Sequence, residues 1–133
     1  MNWRLVFTLS LIGLAMGIAT VFVIPSRVEP LFWLAIFVFC AWTIARRTER
    51  LRFLHGLALG VANSIWITSA HLLLFDGYVA RHAQEAQAMA GMPLPPRAMM
   101  VMTGPVIGVV SGVVIGLLAL GAARLARPRR ALG

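Results

Sequence analysis

Residues 98–123 read AMMVMTGPVIGVVSGVVIGLLALGAA, a run without a charged side chain that carries glycine at 104, 108, 112 and 116. About 20 apolar residues in a helix cross a hydrocarbon core of roughly 30 Å, and this run exceeds that length. Glycines at every fourth position fall along one side of a helix, where the lack of bulk lets another backbone come close. The stretch predicts a membrane helix with a built-in packing face. Pro105 lies inside it, a position that membrane helices tolerate when neighbours re-satisfy the freed carbonyl.

Three further apolar runs precede it. Residues 5–24 are uncharged and end at Pro25, where a helix would lose a donor and meet the proline ring. Residues 30–47 open on Pro30, a favourable first helical residue. They are long enough only if Arg46 and Arg47 extend their stems toward the headgroups. Residues 53–75 form the third run. The N-terminus has the outline of a signal peptide, with Arg4, an apolar stretch and then Gly17-Ile18-Ala19. The apolar run continues to Ile24, which predicts an uncleaved signal anchor.

Composition agrees with four spans. Of 133 residues, 60% are hydrophobic and only 12% charged, and the mean hydropathy is +0.87. A soluble domain carries roughly 25% charged residues, and disordered chains are poor in apolar ones, so both classes are excluded. The expected fold class is all-α, an integral membrane four-helix bundle forming one domain. Its primary partner is the lipid bilayer. Cys40 is the single cysteine, so no internal disulfide forms.

The formal net charge is +8, and all twelve basic residues are arginines. They occupy short connections and not a separate basic domain, which argues against nucleic acid as a partner. With four spans, Arg4, Arg46, Arg47, Arg50, Arg52, Arg124, Arg127, Arg129 and Arg130 share one side, against Arg27, Arg81 and Arg97 on the other. Positive residues are retained in the cytoplasm during insertion. Both termini are therefore expected to be cytoplasmic.

The connections differ in kind. Residues 25–30 make a short outer turn. The charged turn 46–52 predicts that helices two and three are antiparallel neighbours. The outer segment 76–97 is long, and residues 78–90 within it lack Gly and Pro and favour a short helix. Arg81 and Glu85 would pair there at i and i+4. Gly91-Met92-Pro93-Leu94-Pro95-Pro96 then breaks the helix and leads into the last span.

Small residues recur on other helices too: Gly13 and Gly17 on the first, Gly56 and Gly60 on the third, with Ser64 and Thr68 in the same register. Every helix of a bundle needs internal contacts, so these glycines are expected to serve the chain itself first. A stripe of this kind can also meet a second copy or a membrane partner protein. At 100° per residue, Gly56, Gly60, Asn63, Ser64, Ile67 and His71 share one sector of helix three. Leu54, Ala58, Val61, Ile65, Ser69 and Leu72 lie opposite. The plainer reading is interhelical hydrogen bonding that fixes register, with Asn63 kept dry. The sharper one is a polar pathway or ligand site near the midplane.

His55 and His71 raise haem ligation, but sixteen residues separate them by roughly 24 Å along one helix. A bis-histidine site would need His71 with His82, or a partner subunit. The string His71-x4-Asp76-x-Tyr78 has a faint likeness to membrane-anchor subunits of succinate dehydrogenase, with a different spacing. His71, Asp76, Tyr78, Arg81, His82 and Glu85 cluster near the outer end of helix three. His82 and Glu85, at i and i+3, make only two ligands of a metal site, so no metal and no cofactor is expected. No Walker loop, nucleophile elbow, CxxC or HExxH occurs, and no catalytic residue can be named.

The pattern Phe53-Leu54-His55-Gly56-x3-Gly60, followed by Phe75-Asp76-Gly77-Tyr78 and by Gly104-Pro105, resembles the bacterial four-span family called domain of unknown function 4199. The likeness covers the second half of the chain. It implies a four-helix protein of the bacterial inner membrane without established activity. The expected function is structural or accessory, and not enzymatic. A small transporter or channel with a polar face on helix three is the alternative, and a haem- or quinone-binding anchor subunit comes third.

Overall fold

The computed structural model describes residues 1–126. Arg127, Arg129 and Arg130, which enter the orientation argument, lie outside the described residues. Six helices follow one another: α1 (Trp3–Phe22), α2 (Glu29–Arg47), α3 (Arg52–Leu73), α4 (Phe75–Arg81), α5 (Ala83–Ala90) and α6 (Pro96–Leu125). There is no strand among the described residues. Four of the helices, α1, α2, α3 and α6, are long and apolar enough to cross a membrane.

Helix ends follow local chemistry. Asn2 caps α1 by accepting the Leu5 amide on its side-chain oxygen at 3.0 Å, which satisfies one of the orphan donors of the first turn. Prolines open α2 and α6, where the missing N–H is no loss. Between α2 and α3 the chain turns sharply, and Leu51 takes a left-handed conformation at φ 57°. Its carbonyl accepts both the His55 amide at 2.9 Å and His55 Nδ1–H at 2.8 Å. His55 Nε2 in turn accepts the Asn2 amide at 2.8 Å. Both ring nitrogens are thus engaged in tying the start of α1 to the start of α3.

The α3–α6 contact is the closest in the molecule. A Cβ added to Gly56 would run into the backbone of Gly116, and one on Gly60 into the backbone of Gly112. From the other side, a Cβ on Gly112 would stand 2.7 Å from the Leu57 carbonyl oxygen. Gly108 is covered by Ser64, and Gly104 by Thr68. The glycine series of α6 is therefore used within this chain, against the matching series of α3. Beside this contact on α3, Gly13 of α1 meets the Asn63 side chain, and Gly17 meets the Ile67 backbone at 3.1 Å.

Helix α2 departs from expectation. The tight turn 46–52 predicted helices two and three as neighbours, yet α2 lies chiefly against α6 and touches α3 only lightly. The sector of α3 that carries its small residues is already occupied, by α1 and by the glycine contact with α6. A short turn fixes antiparallel direction and not lateral position.

The apolar core sits toward the end that carries Asn2, the 48–51 turn and the last turn of α6. Val6, Leu9, Cys40, Ala41, Ile44, Leu59, Ile115 and Ala119 close it. Toward the other end the helices are covered by α4 and α5. The single short helix expected over 78–90 is divided in two there, with the break at His82 (φ −116°, ψ 61°). That break takes Arg81 and Glu85 out of i, i+4 register. Arg81 is exposed and forms no ion pair with Glu85 among the described residues.

Candidate functional site

A cavity of about 370 Å³ opens between α2, α3 and α6 beneath α4 and α5. Ligand pockets commonly measure about 300–1,000 Å³. Its floor is made where the α3–α6 glycine contact begins to part: Gly60, Asn63 and Ser64 from α3, Gly108 and Ser111 from α6. Its walls are apolar, with Trp33 and Phe37 from α2, Ile67 from α3 and Ile107 from α6. Its mouth carries Glu29, His71, Tyr78, Glu85, Met89, Met99 and Met100. Below the floor lies the closed core, including Leu59 and Ile115, both 0% exposed.

Asn63 is 3% exposed, and neither its amide nitrogen nor its amide oxygen has a hydrogen-bond partner. A buried amide left in that condition is costly in an apolar medium. Ser64 donates back to the Val61 carbonyl at 2.8 Å. The interhelical hydrogen bonds of this region lie elsewhere, on the α1 flank. Trp66 Nε1 donates to Ser10 Oγ at 3.1 Å, and Thr20 Oγ1 meets His71 Nε2 at 3.0 Å.

A column of three rings stands at the mouth. His71 and Tyr78 stack at 4.2 Å between centroids, and Tyr78 and His82 at 4.3 Å. Burial pushes the Tyr78 phenol up to about 12, helped by Glu85 and then Glu29, so at neutral pH it is a hydrogen-bond donor. His82 is 1% exposed. Its Nδ1–H donates to the Tyr78 carbonyl at 3.1 Å, and its Nε2 faces Glu29 Oε2 at 3.7 Å, an ion-pair separation beyond hydrogen-bond reach. The other oxygen of Glu29 accepts Trp33 Nε1–H at 3.1 Å. Glu85 has a buried oxygen, Oε2, without a partner.

Of the residues singled out from sequence, Asn63, Ser64, His71 and Tyr78 line the cavity, and His82 backs it. Asp76 and Arg81 are exposed on α4 and lie outside the lining. No three His, Cys, Asp or Glu residues converge among the described residues. Sequence reasoning found Gly104 and Gly108 of α6 only as packing residues and missed the contribution of α2 and the rest of the α6 lining. Both were readable in principle, because Glu29, Trp33 and Phe37 recur at four-residue intervals, as do Met99, Thr103, Ile107 and Ser111. Each series marks one face of its helix.

A second, more open groove of about 520 Å³ shares Glu29, Trp33, Phe37 and Glu85 with the cavity and continues past Ser26, Pro30 and Leu34. The two carboxylates thus stand between the cavity and the side of α2. Among the described residues no arginine lines either space, whereas Glu29 and Glu85 line both. The arrangement can receive a compact, partly apolar molecule and present it with acceptors at the mouth and an amide at the floor. Compared with known protein families, curated proteins and solved structures, the chain matches none.

Proposed function

We propose that this chain is a multi-pass protein of the bacterial inner membrane, a four-helix bundle with both termini cytoplasmic. On this reading it is an accessory protein that holds a small ligand in an outward-facing cavity and performs no catalysis. One observation carries the proposal: the asymmetry between the two halves of the molecule. The half expected to be cytoplasmic is sealed by the core around Leu59 and Ile115. The half expected to face outward parts into a cavity with a polar floor. Exposed Phe7, Leu11, Val106 and Leu117 supply apolar surface suited to lipid.

Four helices long and apolar enough to cross a membrane support the multi-pass reading and add no activity. A small carrier is the second reading, favoured by the unpartnered amide of Asn63 at the depth where a substrate would pass. Reconstitution into sealed vesicles separates the two. The accessory reading expects no passage of potassium, protons or small organic solutes above protein-free vesicles. Saturable uptake of any of these overturns it in favour of the carrier.

A further inference from the structure

We infer that the cavity selects an amphipathic organic cation: a compact aromatic or aliphatic body bearing one fixed or protonated positive charge. The inference rests on the ligand-binding reading above and names the ligand's chemistry. The chain carries twelve basic and four acidic residues. Two of those four, Glu29 and Glu85, line this one space, and no arginine among the described residues does. In a chain of formal charge +8, the cavity is the place where local charge runs opposite to the whole.

The two carboxylates are not equivalent. Glu29 has Trp33 Nε1–H on one oxygen and His82 Nε2 at 3.7 Å from the other. Glu85 has a buried Oε2 with no partner. A buried carboxylate oxygen in that state is strongly disposed toward a positive charge. Glu85 is therefore the principal counter-ion, and Glu29 the secondary one.

The surroundings exclude the simplest cations. A hard divalent ion takes six or more oxygen ligands, and here the neighbours are Trp33, Phe37, Met89 and Met99. Aromatic faces and thioethers suit a polarisable cation that keeps little hydration. Trp33 is held beside the charge by its bond to Glu29, and Phe37 lies 5.9 Å from it. The two faces of Tyr78 are taken by His71 and His82, so that residue offers its hydroxyl and edge. The groove shared at Glu29 and Glu85 provides a sideways approach along α2, the route a membrane-partitioned cation would take.

Tetraphenylphosphonium and tetraphenylborate have nearly the same size and shape and opposite charge, so they isolate the electrostatic part. Equilibrium dialysis of each against the full chain in a neutral detergent, with triphenylmethanol as an uncharged probe, is the test. The variants are Glu85→Gln, Glu29→Gln and, as a charge-matched control outside the lining, Asp76→Asn. The expected result is saturable binding of tetraphenylphosphonium alone, weakened by about tenfold or more in Glu85→Gln, less in Glu29→Gln, and unchanged in Asp76→Asn. Thermal melts of the variants without ligand separate lost binding from lost folding. Saturable binding of triphenylmethanol that equals the cation's, or indifference of the cation to a folded Glu85→Gln, overturns the cation inference and leaves the ligand-binding reading standing. Absence of saturable binding by all three probes overturns both.

Discussion

Thr20 Oγ1 stands 3.0 Å from His71 Nε2 and donates its own hydrogen to the Gly17 carbonyl 2.9 Å away. The hydroxyl has one hydrogen, so the histidine must be the donor of the shared bond. The neutral ring then carries its free lone pair on Nδ1, on a residue that lines the cavity. One contact with α1 thus sets what His71 presents to the cavity.

Replacing Thr20 with valine removes that acceptor while keeping the shape of the side chain. Membrane hydrogen bonds average about 0.6 kcal/mol and reach about 1.7. Thr20→Val should therefore lower the detergent melting temperature modestly, and Thr20→Ser should restore it. Equal stability of all three proteins would show that the bond does not hold α1 to α3.

The glycines of α6 should not be interchangeable. Gly112→Ala places a methyl group against the Leu57 backbone, and overpacking of this kind costs about 1–3 kcal/mol. Gly108→Leu and Gly112→Leu should abolish a cooperative melt, whereas Leu117→Phe, on an exposed face, should be tolerated. Gly121 has nothing within 4 Å of an added Cβ. Gly121→Ala should be neutral or stabilising by up to about 1 kcal/mol from helix propensity.

Tyr78 is the single tyrosine of the chain, so its ionisation can be followed by ultraviolet difference absorbance. The folded protein should titrate near 12, against 10.0 for an unperturbed phenol. The sign follows from linkage. The unfolded chain loses this proton first, so it binds fewer protons than the folded one above pH 10, and stability falls with rising pH. The contribution is complete below the unfolded value and is lost between about 10 and 12. Glu85→Gln should move the folded midpoint downward, because one of the charges that raise it is gone.

Orientation is tested by reporter fusions. Fusions after Arg52 and after Gly133 should report cytoplasm, and one at Gln87 should report the outside. A cytoplasmic signal at Gln87 would contradict the bundle's placement and the arginine argument behind it.

The spans were legible because apolar length is a strong local signal, and the packing face was legible because glycine at every fourth residue has few other uses. The wheel drawn for α3 placed Gly56, Gly60, Asn63 and Ser64 together, and all four are buried. What it could not give was the partner of each side chain. Interhelical hydrogen bonds do form on this helix, from Trp66 to Ser10 and between His71 and Thr20, whereas Asn63 of the same stripe has no hydrogen-bond partner. Lateral neighbours were equally hidden, since the 46–52 turn says nothing about whether α2 leans on α3 or α6. Glu29 stayed unnoticed for a related reason. A lone carboxylate at a helix start reads as a favourable charge for the dipole, and only the approach of α5 turns it into one of a pair. The break at His82 has no Gly or Pro to announce it, and the residue there faces Glu29 and stacks on Tyr78.

The central claim is a cavity that opens outward and is closed below. Single cysteines in a Cys40→Ser background read it directly, using a membrane-impermeant thiol reagent added from outside to intact cells. Ser64→Cys, Ile67→Cys and Ser111→Cys lie on the lining, whereas Leu59→Cys and Ile115→Cys lie in the core beneath it. The account predicts labelling of the first three, protection of the last two, and, with the exposed face of α3 turned to lipid, no labelling at Ile65→Cys. Labelling of Leu59→Cys or Ile115→Cys from outside would contradict it by showing a continuous path, and protection at Ser64→Cys and Ser111→Cys would contradict it by showing no cavity.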